Sequence, residues 1–475
     1  VCKNTRESKV LDVTRESMLD YFKKLLGSEN VIVPVETNSS KVEEYLKDMA
    51  DYPSSPLVIL QPSSSEEVSK IVAFARKART PIVARGAGTS LTGAISTKGG
   101  IVIDFSKRMK SIFKIDTVNW YVHCQPGIAI DDLNLELAKF GFFFPPDPAS
   151  SPWCTVGGAI AENSGGMRCF RYGTVKDWVL ALKVVLSDGS LVKLGEPLPK
   201  NRVGYDLVHL VCGSEGTLAI VVEAWLKIAP KSIQSGEDHK RLLVFFEGWD
   251  EAAKAIESIR AHGLQPVLLE FIDRESMKAV NESFDLGLPE HEATLFVETA
   301  TADQLAQILK ICSEKGSSGS YVAMDEKDGE RLYNARALVY LGVKALASGC
   351  HTEDVVVPLD KLSEYLKLVK EVSRKYNLKI PTAGHAGDGN VHPAILFDRD
   401  SKESTEAAER AFAEICEYAI QVGGSVTGEH GVGEQKIEFA RSQLLKHNGE
   451  LVPVLMREIK KIWDPDNILN PGKFQ

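Results

Sequence analysis

The segment GHAGDGNVHP, residues 384–393, sets two of the chain's ten histidines on either side of a run of glycine, alanine, aspartate and asparagine. Two short extended stretches joined by a turn through those glycines would bring His385 and His392 to one point. A second segment, TGEHGVGEQK, supplies Glu429 and His430. Two imidazole nitrogens and one carboxylate, with coordination positions left over, suit Zn²⁺, Mn²⁺ or Fe²⁺ in a catalytic rather than a structural site. A histidine in a turn is more often satisfied by hydrogen bonds than by a metal, so the spacing alone does not decide between the two. Adjacent side chains generally point apart, which leaves the ion to Glu429 and frees His430 to act as a general base. A buried structural histidine is the alternative for His430.

A second set of residues suggests a different ligand. PIVARGAGTSLTGA, residues 81–94, follows an apolar run and is rich in glycine and small hydroxyl residues. Consecutive backbone N–H groups in such a loop cradle anions such as a pyrophosphate. It is not a dinucleotide fingerprint, because Gly86 and Gly88 are followed by Gly93 rather than by a glycine three residues on, and it lacks a Walker lysine. Further clusters of small residues occur at 125–127 (QPG), 145–173 and 211–223. Each alone reads as a tight turn. Their concentration in one half of the chain lets several backbone segments approach a large flat ligand edge-on.

The elements that would position these groups follow from periodicity. SSSEEVSKIVAFARKAR has a serine cap, early glutamates and apolar residues at helical spacing. TPIVARG and GGIVIDFS read as buried strands, AIDDLNLELAKFG as a helix stopped by Gly141, and ALKVVLSDGSLVKL as a hairpin turning at Asp188-Gly189. LAIVVEAWLKIAP is a strand ending near Pro230, and the polar stretch KSIQSGEDHK marks a domain boundary. Beyond it, strands such as RLLVFFEG and ATLFVETA alternate with helices such as EAAKAIESIRAHG, the order of an α+β domain with an antiparallel sheet. The helix GELVPVLMREIKKIW then leads into a turn-rich tail, DPDNILNPGKFQ.

Bulk composition narrows the function. A chain of 475 residues forms two or three domains with large cores. A net charge of −9 argues against nucleic acid as a partner. No apolar run reaches the roughly 18–20 residues of a membrane span, and the charged N-terminal segment does not read as a signal peptide, although a removed presequence stays open. The eight cysteines, at 2, 124, 154, 169, 212, 312, 350 and 416, include no CxxC and suit neither a zinc ribbon nor an iron–sulfur cluster. They read as buried thiols of a reducing compartment, so a redox enzyme of this sequence would pass its electrons elsewhere.

The glycine loop and the small-residue clusters resemble the FAD-binding domain of the vanillyl-alcohol oxidase and p-cresol methylhydroxylase superfamily. The remainder, with GHAGDGNVH, TGEHGVG and DPDNILNPGK, resembles the C-terminal domain of its D-2-hydroxyacid dehydrogenase branch. That branch includes D-lactate dehydrogenases, the flavoprotein subunit of glycolate oxidase and D-2-hydroxyglutarate dehydrogenase. The motifs occur in the expected order from about residue 50 to the end. The resemblance implies an α+β fold: a two-part FAD-binding domain over 1–231, with its core at about 53–231, then an α+β substrate and metal domain over 232–475. That second domain would be built on an antiparallel sheet, with its tail at 464–475 returning to the flavin.

Carried over residue by residue, the resemblance assigns the FAD pyrophosphate to Arg85, Gly86, Ala87, Gly88, Thr89, Ser90 and Gly93. It lays Pro146, Thr155, Gly158, Asn163, Ser164 and Gly165 along the flavin, and Glu215, Gly216 and Ile220 toward the rest of the nucleotide. Asn470 of the tail would fold back near the isoalloxazine. Relatives with a covalent flavin use a histidine in the glycine loop; this loop has none, so the FAD is expected to be non-covalent. The implied chemistry is oxidation of a D-2-hydroxyacid by hydride transfer to flavin N5. His385, His392 and Glu429 would hold a divalent metal, zinc ahead of manganese or iron, and His430 would be the base.

Arg336, in LYNARALVYLG, is expected to clamp the substrate carboxylate, with a surface ion pair as its plain alternative. Asn390 is expected to contact substrate and Asp388 to cap its turn. Thr352 stands where relatives acting on a dicarboxylate would use a basic residue, which favours D-lactate or glycolate over D-2-hydroxyglutarate unless Lys344 or Arg331 compensates. The electrons would pass to a quinone, a cytochrome, an electron-transfer flavoprotein or an iron–sulfur protein. The expected setting is a cytoplasmic homo-oligomer, attached to a membrane only through its acceptor. Two other classes compete: a metal-dependent hydrolase, which leaves the glycine-rich half unexplained, and a noncatalytic flavin-binding subunit, in which the metal and base motif would be lost.

Overall fold

The computed structural model describes residues 14–37, 41–231 and 240–473. The expected domain boundary in KSIQSGEDHK falls largely on 232–239, outside the described residues.

The first part holds two sheets. Val58–Leu60, Ile101–Asp104 and Ile82–Arg85 run parallel, with the short strand Val31–Ile32 antiparallel at one edge. A parallel sheet covered on both faces requires continuous apolar runs rather than alternation, and Val58, Ile59 and Leu60 are all fully buried. Between two of these strands lies the helix Ser65–Ala78, whose N-terminus is capped by the Ser64 hydroxyl accepting from Glu67 N at 3.2 Å. The second sheet is antiparallel, in the order Ile112–Asp116, Tyr121–Cys124, Ile220–Lys227, Val179–Val185, Leu191–Gly195. Its last hairpin turns through Asp188-Gly189, where Gly189 has φ +88°.

The second part is built on an eight-stranded sheet. Seven strands lie in the order Gly319–Val322, Lys240–Phe246, Ala293–Thr299, Leu268–Asp273, Thr382–His385, Asn390–Phe397, Gly349–Thr352, and Val355–Val356 also pairs with Asn390–Phe397. Its pairings are antiparallel, as the order of elements in the sequence implies. Alternation assigns the two faces. Leu242, Val244 and Phe246 pack under the helices Trp249–Ala261, Leu362–Tyr376 and Lys402–Gln421. Leu243 and Phe245 face the helices Arg274–Phe284, Glu326–Ala337 and Val339–Lys344 on the other side. This second face carries the site.

The C-terminal tail returns to the first part. Ile82 N donates to Ile468 O at 2.7 Å and Asn470 N to Ile82 O at 2.8 Å, so the tail lies parallel beside Ile82–Arg85. Ile468 and Leu469 join the hydrophobic cluster of the first sheet. Asp464 ends the preceding helix by accepting from Ile468 N and Leu469 N. Replacing the fully buried Leu469 by alanine is expected to cost about 2–5 kcal/mol of unfolding free energy. Leu451→Ala, on a side chain 74% exposed, should stay within about 0.5 kcal/mol. Urea denaturation of both variants checks the anchor.

Candidate active site

The two histidines of the opening motif lie on a hairpin. Thr382–His385 pairs with Asn390–Phe397 in a register that opposes Ala383 to His392 and His385 to Asn390. Because side chains alternate, His385 and Ala383 share one face with His392 and Ala394. The His385 and His392 rings are 5.1 Å apart and nearly perpendicular. The turn between them needs its glycines: Gly389 has φ +80°, and a Cβ there would collide with Val357 O. Asp388 caps this turn by accepting from Asn390 N at 3.4 Å.

The TGEH segment lies against the hairpin and is held by a residue that sequence reading passed over. The buried Asp354 Oδ2 accepts from Thr427 Oγ1 at 2.7 Å, Gly428 N at 2.8 Å, Glu429 N at 2.9 Å and His430 N at 2.8 Å. Glu429 Oε1 then lies 3.1 Å from His385 Nε2, 3.5 Å from His392 Nε2 and 3.7 Å from His430 Nε2. His430 stacks on His392 with ring centroids 5.0 Å apart. The expectation that Glu429 and His430 diverge does not hold, because four donors anchored on one carboxylate curl the backbone and turn both side chains into one cluster. Asp354, His392, Glu429 and His430 offer ligand atoms all within 4.8 Å of one another.

Charge in the cluster is uneven. Burial, reinforced by His430 and His385, pushes the His392 pKa down to about 3, so this ring is neutral. Burial also disfavours a charged His385, but the Glu270 and Glu429 carboxylates on either side outweigh it and raise its pKa well above the ordinary value. Burial would raise Glu429; the charge and hydrogen bond of His385 prevail and bring it down to about 2. Glu270, also missed in the sequence, lies 2.8 Å from His385 Nδ1 and 2.7 Å from Arg336 Nε. Arg336 is buried on the helix Glu326–Ala337; its Nε meets Glu270 as an ion pair, and neither Nε nor Nη2 has a hydrogen-bond partner.

These groups open onto a cavity of about 380 Å³ that both halves of the chain line. One side carries the glycine loop at 86–90 and the segment 150–155; the other carries Arg336, His385, His392, Glu429 and His430. Of the residues assigned to FAD by resemblance, Gly86, Ala87, Gly88, Thr89, Ser90, Thr155, Gly158, Ser164 and Gly165 are on this wall. Arg85, Glu215, Gly216 and Ile220 line a second cavity of about 60 Å³, which shares Gly86, Thr155, Gly158 and Glu162 with the first. The other four lie on neither wall. Gly93 N donates to Asp48, Pro146 is buried, and Asn163 caps a helix end in the left-handed region with its side chain accepting from Lys176 N. Asn470 Nδ2 donates to Ala94 O and Glu215 O, while its Oδ1 is buried without a partner.

Asn390 is engaged within the fold. It was expected to meet substrate, but it is not on the cavity wall: its amide donates to Asp354 Oδ1 at 2.8 Å and to Val355 O at 3.2 Å. By alternation it shares the sheet face of His392, two residues on, and these two hydrogen bonds turn its amide to Asp354, where it braces the anchor. Asp354 and Glu270 left a weak signal in the sequence, each being an acid inside an apolar strand-like run, TEDVVVP and LLEFID. Glu162 left less. It lines the cavity with a buried Oε2 that has no partner, and burial followed by the nearby Glu215 raises its pKa well above the usual carboxylate range.

The residues present fit both a flavin nucleotide and a cation. Backbone without bulk lines the cavity, and unpartnered polar atoms at Glu162 and Arg336 border it. Neutral imidazole beside an ionised carboxylate is a donor set for a divalent transition metal, and ligation by His385 would release its Nε2 proton.

Comparison with known proteins agrees with this division. Residues 56–195 match the FAD binding domain family, and residues 236–474 match the C-terminal domain of FAD linked oxidases. The backbone superposes on substrate-bound p-cresol methylhydroxylase with a TM-score of 0.78 over 98% of each chain, at 18% identity, a likeness of fold. The chain is 38% identical over 431 residues to the glycolate oxidase subunit GlcD of Bacillus subtilis, covering 89% of this chain and 90% of that one. It is 34% identical to a D-lactate dehydrogenase of Archaeoglobus fulgidus, with 88% and 90% covered. Against the mitochondrial D-lactate dehydrogenase [cytochrome] of Arabidopsis thaliana it is also 34% identical, with 88% and 73% covered. The site is thus that of a flavoprotein oxidoreductase. The chain belongs to the FAD-linked oxidase family, with an FAD-binding domain followed by the family's C-terminal domain.

Two outcomes test the site. Gly88 has φ +83°, and a Cβ there would collide with the Arg85 guanidinium, so Gly88→Val should be purified without FAD while keeping its far-UV circular dichroism. Asp354→Asn presents an amide N–H to donors that need an acceptor. It should lower divalent-metal affinity by about 10–100-fold in a chelator competition while FAD content per chain stays at the parent value.

Proposed function

We propose that the protein is an FAD- and divalent-metal-dependent dehydrogenase that oxidises a D-2-hydroxyacid, D-lactate or glycolate rather than D-2-hydroxyglutarate, to the 2-oxoacid. The observation that carries this reading is the single cavity shared by the glycine loop, the unpartnered Arg336 Nη2 and the cluster of three histidines with Glu429. Relatives named glycolate oxidase subunit and D-lactate dehydrogenase support it.

FAD, held without a covalent bond, would supply the two-electron acceptor and pass the electrons to an external partner. That step is supported by the word cytochrome in the name of one relative. A divalent cation held by His385, His392 and Glu429, zinc ahead of manganese or iron, would supply Lewis acidity toward the substrate hydroxyl. The remaining work falls to the chain's own side chains. Arg336 binds the carboxylate through Nη2 while Glu270 fixes its Nε. His430 accepts the hydroxyl proton at a ring nitrogen, with its backbone fixed by Asp354 and by Thr92 Oγ1, which donates to His430 O at 3.3 Å. Leu91, Ile95 and Trp153 give the cavity wall apolar side chains.

His430→Asn should retain FAD and metal and still bind substrate, yet slow anaerobic flavin reduction by about 10²–10⁴-fold. Arg336→Ala should differ by weakening substrate binding as well as reduction. Stopped-flow bleaching with elemental analysis decides: loss of metal from His430→Asn makes His430 a ligand, and reduction at the parent rate removes it as the base.

A further inference from the structure

The cavity continues past the polar cluster. On its floor the hairpin register places Ala383 opposite His392, and Ala394 two residues beyond His392 on the same face. Ala394 in turn opposes Thr352. Strand geometry puts Ala394 about 7 Å beyond His392. The opposite wall runs in step with it: Arg336 is followed at helical spacing by Val339 and Val343, all three on the cavity wall. Ser276, on the helix Arg274–Phe284, completes the lining. Both walls thus pass from charged groups to small apolar side chains in the same direction, and Thr352 and Ser276 are the polar residues among these six.

The cations that might serve a second carboxylate are committed elsewhere. Lys344 Nζ donates to Met49 O and lies 3.3 Å from Asp51. Arg331 Nη2 donates to Asp328 Oδ1 at 2.8 Å and its Nη1 to Leu286 O at 3.0 Å. Among the described residues lining the cavity, Arg336 is the one Arg or Lys side chain, and it faces the first carboxylate. A distal carboxylate in the slot would be a buried charge without a partner.

We infer that the slot bounded by Ala383, Ala394, Thr352, Val339, Val343 and Ser276 receives the substituent on C2, and that, beyond the D-lactate and glycolate proposed above, it takes 2-hydroxyacids with an unbranched apolar chain and binds them more tightly as that chain lengthens. The inference rests on the hydroxyacid reading of the site given above. Arg336 and the histidine cluster hold the carboxylate and hydroxyl at one end. Aliphatic carbons leave water along the alanines and valines, each adding affinity in proportion to the apolar area removed from solvent.

The test is anaerobic bleaching of the FAD in the metal-loaded full-length protein by glycolate, D-lactate, D-2-hydroxybutyrate, D-2-hydroxyhexanoate and D-2-hydroxyglutarate. The Kd extracted from the reduction rate should fall about fourfold per added methylene from glycolate to D-2-hydroxyhexanoate. D-2-Hydroxyglutarate should bind at least about tenfold more weakly than D-2-hydroxyhexanoate. Ala394→Leu, which shortens the slot, should raise the Kd for D-2-hydroxyhexanoate about tenfold more than that for D-lactate. Val343→Ala, which enlarges the slot and cannot crowd the core, should shift the ratio the other way and serves if Ala394→Leu loses its FAD. A Kd that is flat or rises with chain length, or D-2-hydroxyglutarate binding as tightly as D-2-hydroxyhexanoate, overturns the inference while leaving the hydroxyacid reading intact. Bleaching by none of the five acids overturns both.

Discussion

The site depends on one buried carboxylate. Asp354 gathers three consecutive backbone N–H groups and the Thr427 hydroxyl on one oxygen and the Asn390 amide on the other. An isolated charge at full burial would be neutralised, and burial alone does push this carboxyl upward. His430, Lys436 and His392, together with those hydrogen bonds, outweigh burial and hold Asp354 well below the usual carboxylate range. It therefore stays ionised, and its charge fixes the backbone from 427 to 430. Asn390, His392, Glu429 and His430 come from two segments far apart in the chain, and Asp354 reaches both. Behind it the fully buried Lys436 lies 3.0 Å from Glu353 Oε2 and donates to Val426 O, closing the other side of the same loop.

A site between two halves needs them held in register, and the halves are joined by polar contacts as well as by area. Arg168 lies 3.0 Å from Asp147 on its own half and 3.5 Å from Glu298 on the other, while Arg241 meets the second Glu298 oxygen at 2.8 Å. Both guanidinium groups face the ring of Tyr333, whose hydroxyl donates to Asp147 at 3.1 Å. Tyr333 sits one turn before Arg336 and lines the cavity, so this joint also positions Arg336. On the other flank Glu215 accepts from Val432 N and Gly433 N, and Thr92 O accepts from Glu434 N and Gln435 N. The segment that begins with Glu429 thus continues as a strap bonded to the nucleotide-binding half.

What the sequence made legible, and what it did not, follows from the range of the forces involved. The hairpin carrying His385 and His392 was readable because glycine at a turn and alternation along a strand are local rules. The same holds for the helix capped by Ser64 and the hairpin at Asp188-Gly189. The parallel arrangement of Val58–Leu60, Ile82–Arg85 and Ile101–Asp104 was visible only as apolar runs, since partner choice depends on residues far away. Asp354 and Glu270 were missed because an acid in an apolar strand announces a buried charge without naming its partners. Asn390 shows the same limit: the period of two puts it on the face of His392, but its amide is taken by Asp354 and Val355 O, partners that the motif does not name. The divergence expected of Glu429 and His430 failed because it assumes extended backbone, and Asp354 enforces a curled one.

Glu270 and the backbone carbonyl of Glu353 settle how the two hairpin histidines present themselves. A carbonyl only accepts, so His392 Nδ1, 3.3 Å from Glu353 O, carries the hydrogen of the neutral ring and leaves the Nε2 lone pair toward Glu429. Glu270 imposes the same orientation on His385, with Nδ1 2.8 Å from one carboxylate oxygen and 2.9 Å from the other. The two rings thus aim the same atom at the same carboxylate, although one is held by backbone and the other by a side chain. Glu270 does more than fix a tautomer, because its Oε2 also lies 2.7 Å from Arg336 Nε. Ring and guanidinium share one anion, so the distance between His385 and Arg336 is set by a single side chain on the strand Leu268–Asp273. A guanidinium suits this position, since it keeps Nε 2.7 Å from Glu270 as an ion pair while Nη2, buried without a partner, remains a second donor at a fixed angle, which a lysine ammonium placed at Glu270 would not offer.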